Sequence, residues 1–241
     1  MSAAATQLSL LHLDDRVAAF AKPSGLLVHR GWGDAPVVFV DLAERALGRK
    51  VYPVHRLDRA TSGVLLVALD PAAAALLCAQ FEQGLARKRY LALVRGVPPE
   101  HGCVDHPIPR REGGPRVPAV TDFERLHALE RYAVVEARPR TGRLHQVRRH
   151  LKHISHPIIG DVNYGKGEHN RLFRERYALH RLALHAAELA VAHPETGAPL
   201  RVAAPLPDDL RGPFDQLGVP AWIGAVGDAA ANPPLESGAA G

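Results

Sequence analysis

The chain predicts a mainly antiparallel α+β fold. Three observations carry that expectation. Many short strand-like runs are joined by hairpin-type links, helical stretches are few, and no βαβ unit repeats along the sequence. A fourth feature fixes the centre. Residues 64–69, Val-Leu-Leu-Val-Ala-Leu, are six successive apolar residues without helical gaps. Such a run reads as a strand buried on both faces.

In chain order, residues 16–21 read as a short strand after a turn at Asp14-Asp15. Pro23 and Gly25 make 22–29 a loop beside it. Residues 34–48 read as a helix, with Val37, Val40, Ala43 and Leu47 on one face and Gly48 as the stop. A strand at 51–54 leads into a loop around Asp58. Asp70 as N-cap and Pro71 at the first helical position open a helix through Leu76, Leu77 and Phe81 to near Gly84. Residues 88–96 form a strand. The Pro-, Gly- and charge-rich segment 101–118 reads as an extended, exposed loop. Strands follow at 120–123 and 132–138, and a helix at 141–154 with an apolar stripe of Leu144, Val147, Leu151 and Ile154. Residues 180–192 are a strand region, 193–197 a turn and 199–203 the hairpin partner. A short helical piece with Pro213 closes the domain, expected to span 1–223. The Ala-, Gly- and Pro-rich stretch 224–241 is expected to be a disordered tail.

Composition narrows the class. The chain has 241 residues, 46% of them hydrophobic, enough to bury a large core. Its two cysteines, Cys78 and Cys103, form no CxxC pair and suit a reducing cytoplasm. No apolar stretch approaches ~18 residues, so no membrane span is expected. Residues 1–11 lack the basic start of a signal peptide. The net charge is +5, and it is uneven: 138–182 holds eleven Lys or Arg against three Asp or Glu. A basic stripe of this kind is the footprint of a polyanion partner or a solvated face.

The candidate chemistry centres on residues 55–63, His-Arg-Leu-Asp-Arg-Ala-Thr-Ser-Gly, where Asp58 stands between Arg56 and Arg59 at the lip of the buried strand. Rigidly held loops of this kind carry catalytic groups. Arg148 flanks the buried stripe of its helix, and a half-buried arginine wants a carboxylate partner. Arg143, Arg149 and Lys152 on the same segment read as phosphate contacts. Tyr90, in the strand at 88–96, reads from its position as a core residue.

The nonapeptide resembles the His-Arg-Leu-Asp-x-x-Thr-Ser-Gly motif of the RluA-type pseudouridine synthases. Residues 142–150 resemble that family's Gly-Arg-x-His-Gln-x-Arg-x-His motif, 88–92 its Lys-x-Tyr-x-Ala motif, 22–29 its first motif and 184–186 its last. The resemblance runs from about Val17 to Ala204. It implies the pseudouridine synthase fold, a long bent antiparallel sheet with flanking helices and a central cleft. It implies isomerisation of uridine to pseudouridine in RNA, with Asp58 essential, Arg148 paired to it, Tyr90 stacked on the target base, and Arg56 filling the place the flipped base leaves. For Arg56 and Arg59 a phosphate contact stays open. His55 and His185 are expected as structural residues near the cleft, with a neighbouring Leu or Ile walling the uracil pocket. No cofactor, metal or obligate protein partner is implied. The first motif begins at Lys22, too early for the separate N-terminal RNA-binding domain many members carry, so a bare catalytic domain is expected. The runs 27–30, 80–83, 148–161 and 170–171 further resemble a branch that acts on uridine 65 of tRNA. Ribosomal RNA or another tRNA uridine is the alternative target. A zinc enzyme built on His145, His150, His153 and His156 lacks a ligand motif, a glycosidase lacks a second carboxylate, and a non-catalytic RNA-binding module leaves the Asp58 loop unexplained.

Overall fold

A strand that is apolar at every position needs cover on both of its faces. The computed structural model, which describes residues 8–30, 36–110 and 113–225, supplies both. In chain order the elements are β1 (Ser9–Leu13), β2 (Val17–Lys22), α1 (Phe39–Leu47), β3 (Tyr52–Pro53), β4 (Ser62–Ala68), α2 (Pro71–Glu82) and β5 (Arg87–Arg95). Then come β6 (His101–Asp105), β7 (Ile108–Pro109), β8 (Arg116–Val117), β9 (Val120–Ala128), β10 (Tyr132–Pro139) and α3 (Gln146–His153). The chain continues through α4 (Gly167–Tyr177), β11 (Leu184–Ala192), β12 (Pro199–Ala203) and α5 (Asp208–Gln216).

Ten strands make one sheet in the order β1-β2-β4-β11-β5-β10-β9-β6, with β12 on β11 and β3 on β4, while β7 and β8 form a separate ribbon. Alternation divides the residues of β2 and β4 between two cores. Val64, Leu66 and Ala68 pack with Ala73 and Leu77 of α2. Leu65 and Val67 pack with Phe39 and Ala43 of α1 on the other face. The third and largest core lies under the other half of the sheet, where Val147 and Leu151 of α3, Phe173 of α4 and Phe214 of α5 cover β5, β10 and β11.

Every pairing in this sheet is antiparallel except one. β11 runs parallel to β4, through His185 opposite Ser62 and Ala186 opposite Gly63. The backbones approach so closely there that a Cβ on Gly63, which has φ 119°, would run into Ala186. The seam is also polar. Arg181 Nη2 donates to Ser62 Oγ at 2.6 Å. That hydroxyl then gives its proton to His185 Nδ1 at 2.9 Å, and His185 Nε2 donates to Ala204 O at 3.1 Å. His185, 1% exposed, is therefore a neutral structural residue, its pKa drawn down to about 4 chiefly by burial.

The helix at α2 starts as expected, Asp70 Oδ1 accepting from Ala72 N and Ala73 N at 2.9 and 3.0 Å. Three expectations are corrected, and two elements are added. Segment 101–118 is not an open loop: β6 pairs with β9 at the sheet edge, and β7 and β8 pair with each other. Only Val104 is buried in β6, so its period-two signal is too weak to stand out from the charges around it. The helix expected at 141–154 begins only at Gln146, because His145 takes a left-handed φ of 54° and the Gln146 side chain caps the preceding turn by accepting from Arg143 N and Thr141 Oγ1. Leu144 is thus outside the helix. The helix expected at 34–48 begins at Phe39, which points inward while Val37 is exposed; Asp34 lies outside the described residues, as do 226–241 of the expected tail. Strand β1 and helix α4, not expected, complete the list. α4 buries only Phe173, too little to leave a stripe in the sequence.

Two outcomes follow. Gly63→Ala should destabilise the fold by about 3 kcal/mol, seen as a melting temperature lower by roughly 6–12 °C. The neutral His185 adds a pH term. An imidazole whose folded pKa lies below its ordinary value near ~6.5 contributes stability that is full above that value and shrinks as pH falls toward the folded one. Urea unfolding should therefore lose roughly 1.4 kcal/mol per pH unit from His185 as pH falls from ~6.5 to about 4. In His185→Asn the slope should be smaller by about one proton.

Candidate active site

Asp58 sits in the loop between β3 and β4, and the loop is held from behind. Lys22, 1% exposed at the end of β2, donates from Nζ to Pro23 O and Leu26 O at 2.8 Å each, and to Arg59 O at 3.3 Å. Burial draws its pKa down to about 7, with Arg181 acting the same way and Asp58 opposing. Ser24 Oγ donates to Ala60 O at 2.8 Å, and Gly25 N to Arg59 O at 2.8 Å. Arg59 Nε returns a hydrogen bond to Gly25 O at 2.9 Å. The turn at 22–26 is thus a backbone clamp on the Asp58 loop. Gly25, at φ 87°, supplies the left-handed bend it needs.

The opposite wall is α3. Arg148, 6% exposed, donates from Nε and Nη2 to Asp161 at 2.7 and 2.9 Å, and from Nη1 to Asp58 Oδ2 at 3.0 Å. The expected Asp58–Arg148 pair is therefore present, with a second carboxylate the sequence reading did not assign. Asp161 also accepts from the backbone N–H groups of Asn163 and Tyr164, both at 3.0 Å. Burial works against its charge, but Arg148 and those two N–H groups outweigh it and hold the carboxyl below its usual range. For Arg148, burial opposes the charge as well, and the two aspartates more than restore it, so its pKa rises. A signal for Asp161 was available: it follows the buried Ile158-Ile159 and the left-handed Gly160, whose N–H is pinned by Asn170 Oδ1 at 2.8 Å.

Asp58 and Arg148 face a cavity of about 620 Å³ between the two halves of the sheet. Tyr90, Arg56, Arg143, His55, Lys88, His145 and Leu184 also line it. Tyr90 lies on β5 opposite Ala186 of β11, where a β-bulge shifts the register before Glu188. Bulges beside a site re-aim its side chains. Burial, with Asp58 adding, pushes the phenol pKa up, so the ring keeps its proton. Arg56 is exposed at the rim. Arg143 Nε donates to Pro118 O at 3.2 Å. Lys88, drawn down to about 8 mainly by burial, donates to Thr141 O at 3.0 Å. His55 is a structural residue: its Nε2 accepts from Leu66 N at 2.9 Å and its ring stacks on Phe81. Leu184, beside His185, is the leucine of the 184–186 motif, and it lines the cavity.

Four named residues lie elsewhere. Arg59 is turned back onto the Gly25 turn. Arg149 Nε donates to the Tyr164 hydroxyl at 2.8 Å, and Lys152 lies over the same ring. His185 belongs to the seam between β4 and β11. The histidines of α3 and of the turn after it also have separate tasks. His150 joins Thr121 Oγ1 to His106 O, His153 stacks on His106, and His156 bonds Arg95 O. Among the described residues no group of three or more His, Cys, Asp or Glu is placed to hold a metal ion.

Comparison with known proteins identifies the family. The profile of the RNA pseudouridylate synthase family matches residues 16–153. A "tRNA pseudouridine synthase C" of Salmonella typhimurium is 40% identical, the alignment covering 92% of this chain and 93% of that one. One of Haemophilus ducreyi is also 40% identical, over 88% of this chain and 96% of its own. Among solved structures, Human RNA Pseudouridylate Synthase Domain Containing 4 superposes with a TM-score of 0.72 at 29% identity, over 87% of this chain and 93% of that one. With a profile along more than half of its length and relatives aligned along most of it, the chain belongs to the RluA-type RNA pseudouridylate synthases and is an isomerase.

Proposed function

We propose that this enzyme converts uridine to pseudouridine in cytoplasmic tRNA, at uridine 65 of the T stem, with Asp58 as the group that acts on the target nucleotide. The observation that carries the reading is the unequal use of the Asp58 carboxylate. Oδ2 is held by Arg148, Oδ1 stands 3.9 Å from His145 Nε2, and Asp58 lines the cavity. The choice of tRNA rests on relatives named for it and on the runs 148–161 and 170–171 that resemble their branch.

A uridine inside a stem is unreachable until it leaves the stack. Arg56, exposed at the rim, fills the vacated place, a planar cation being able to stack and hydrogen-bond there. The base enters against Tyr90, a contact worth roughly 1–3 kcal/mol. With its proton retained, the Tyr90 hydroxyl acts as a donor and not as a base. The N-glycosidic bond then breaks, the uracil rotates, and C5 bonds to C1′. The carbon C5 gives up one proton and N1 gains one, so the isomerisation is balanced without oxidant or reductant. A carboxylate beside the sugar stabilises or traps the positive charge that develops there. Arg143 at the rim, and Arg149 and Lys152 further along α3, continue a basic surface for the phosphates on either side.

Incubation with a tRNA transcript, followed by mapping of modified sites, tests this. Wild-type protein should yield pseudouridine at position 65. Asp58→Asn should yield none while binding the transcript within several-fold of wild type, because the lost charge is not in the phosphate grip. Near-normal turnover by Asp58→Asn would remove Asp58 from the chemistry. Modification confined to ribosomal RNA would overturn the tRNA assignment.

Arg148→Ala should abolish activity and also lower stability by about 3–5 kcal/mol, since it strands the buried Asp161 carboxylate. Adding Asp161→Asn should recover part of the melting temperature and none of the turnover. An unchanged melting temperature in the single variant would contradict the shared pairing.

A further inference from the structure

His145 is held in a backbone conformation that few residues other than glycine adopt, with φ 54°. Such positions persist where the surroundings over-determine them, and they gather at functional sites. Here the surroundings are specific. The ring meets the Tyr164 ring edge-on, at 5.7 Å between centroids. Nδ1 lies 3.0 Å from the Tyr164 hydroxyl, and that hydroxyl accepts from Arg149 Nε at 2.8 Å. Having accepted one hydrogen, the hydroxyl gives its own proton to Nδ1. Nε2 then carries the ring N–H and faces Asp58 Oδ1 at 3.9 Å. The other tautomer would set a lone pair against a carboxylate oxygen, so both neighbours select the same one. Burial keeps the ring neutral by drawing its pKa down. Asp58 and Asp161 oppose that shift, and Arg148 and Arg149 reinforce it.

The gap of 3.9 Å is too long for a hydrogen bond and suits one intervening oxygen, at roughly 2.8 Å from each side. That oxygen must accept from an N–H and donate to a carboxylate. A carbonyl or phosphate oxygen cannot donate, and the uracil N3–H cannot accept. In a nucleotide within an RNA chain the 3′ and 5′ oxygens are esterified. The group that remains is the ribose 2′-hydroxyl, which is both donor and acceptor. We propose that His145 and Asp58 form a slot for the 2′-hydroxyl of the target nucleotide, His145 Nε2 donating to it and Asp58 Oδ1 accepting from it. The slot rests on the reading of Asp58 given above and goes further. It fixes the sugar against the reacting carboxylate and distinguishes ribose from deoxyribose at one position, with Tyr164 as the residue that sets the imidazole.

Single-turnover rates on tRNA carrying either ribose or 2′-deoxyribose at the mapped uridine test the slot. For wild-type enzyme the 2′-deoxy substitution should slow turnover by about 20-fold or more. In His145→Ala the ribose substrate should slow by a similar factor, and the deoxy penalty should shrink to under about 3-fold. His145→Gln, which returns an N–H at comparable reach, should restore part of the discrimination. Tyr164→Phe keeps the ring and removes only the hydroxyl, so it should also reduce the penalty, and it serves if His145→Ala folds poorly. Melting temperature and tRNA affinity should stay near wild type in Tyr164→Phe. A deoxy penalty absent in wild type, or undiminished in these variants, overturns the slot. Asp58→Asn separates the two readings: activity retained there defeats the role of Asp58 itself, whatever the His145 variants do.

Discussion

One guanidinium bridges two carboxylates, and the site depends on how Arg148 divides its N–H groups between them. Two go to Asp161, which also receives two backbone N–H groups and has nothing left to offer. One goes to Asp58, which keeps an oxygen in reserve. Asp161 therefore anchors the cation, and the anchored cation orients Asp58. A buried pair of this kind is weak evidence for stability, because desolvation offsets much of the attraction. Its value is geometric: the planar fork fixes the direction as well as the charge of what it holds.

The frame brings these groups together from distant parts of the chain. Asp58 rides on a loop clamped by the end of β2, while Arg148 comes from α3 and Asp161 from the turn after it. Lys22 shows how a costly group can serve the scaffold. A fully buried ammonium is tolerable here because its N–H groups meet carbonyls from both segments it joins. The sheet that carries both walls is two antiparallel halves fused by one parallel contact.

What the sequence disclosed, and what it hid, follows the range of the forces involved. The doubly covered β4, the Asp70 cap and the strands on either side of the 193–197 turn are local patterns and were readable. Arg148 was identified by a stripe that included Leu144, which the structure leaves outside the helix; the resemblance to a motif, and not the periodicity, chose the right residue. The run Ile158-Ile159-Gly160 marks a buried turn before Asp161, but it does not name the distant cation that saturates the carboxylate. Charge type gave Arg59, Arg149 and Lys152 their expected basic character. Direction is set by neighbours such as Gly25 O and Tyr164, which sequence does not place. The start of α3 was missed for a related reason: the left-handed turn at His145 is accompanied by its bond to Tyr164 and by the Gln146 cap on Arg143 N, with no glycine at that position.

β11 occupies the middle of the sheet yet comes late in the chain, beyond the residues that match the family profile. As the ribosome releases the polypeptide, β2 and β4 can pair, and so can β5, β10 and β9, but these are two separate ribbons until β11 emerges. Both segments that flank the cavity can then exist for some time before the cavity does. The nascent chain thus carries the basic helix α3 well before the cavity can close, and the order of synthesis itself delays the complete site until the last third of the protein is made.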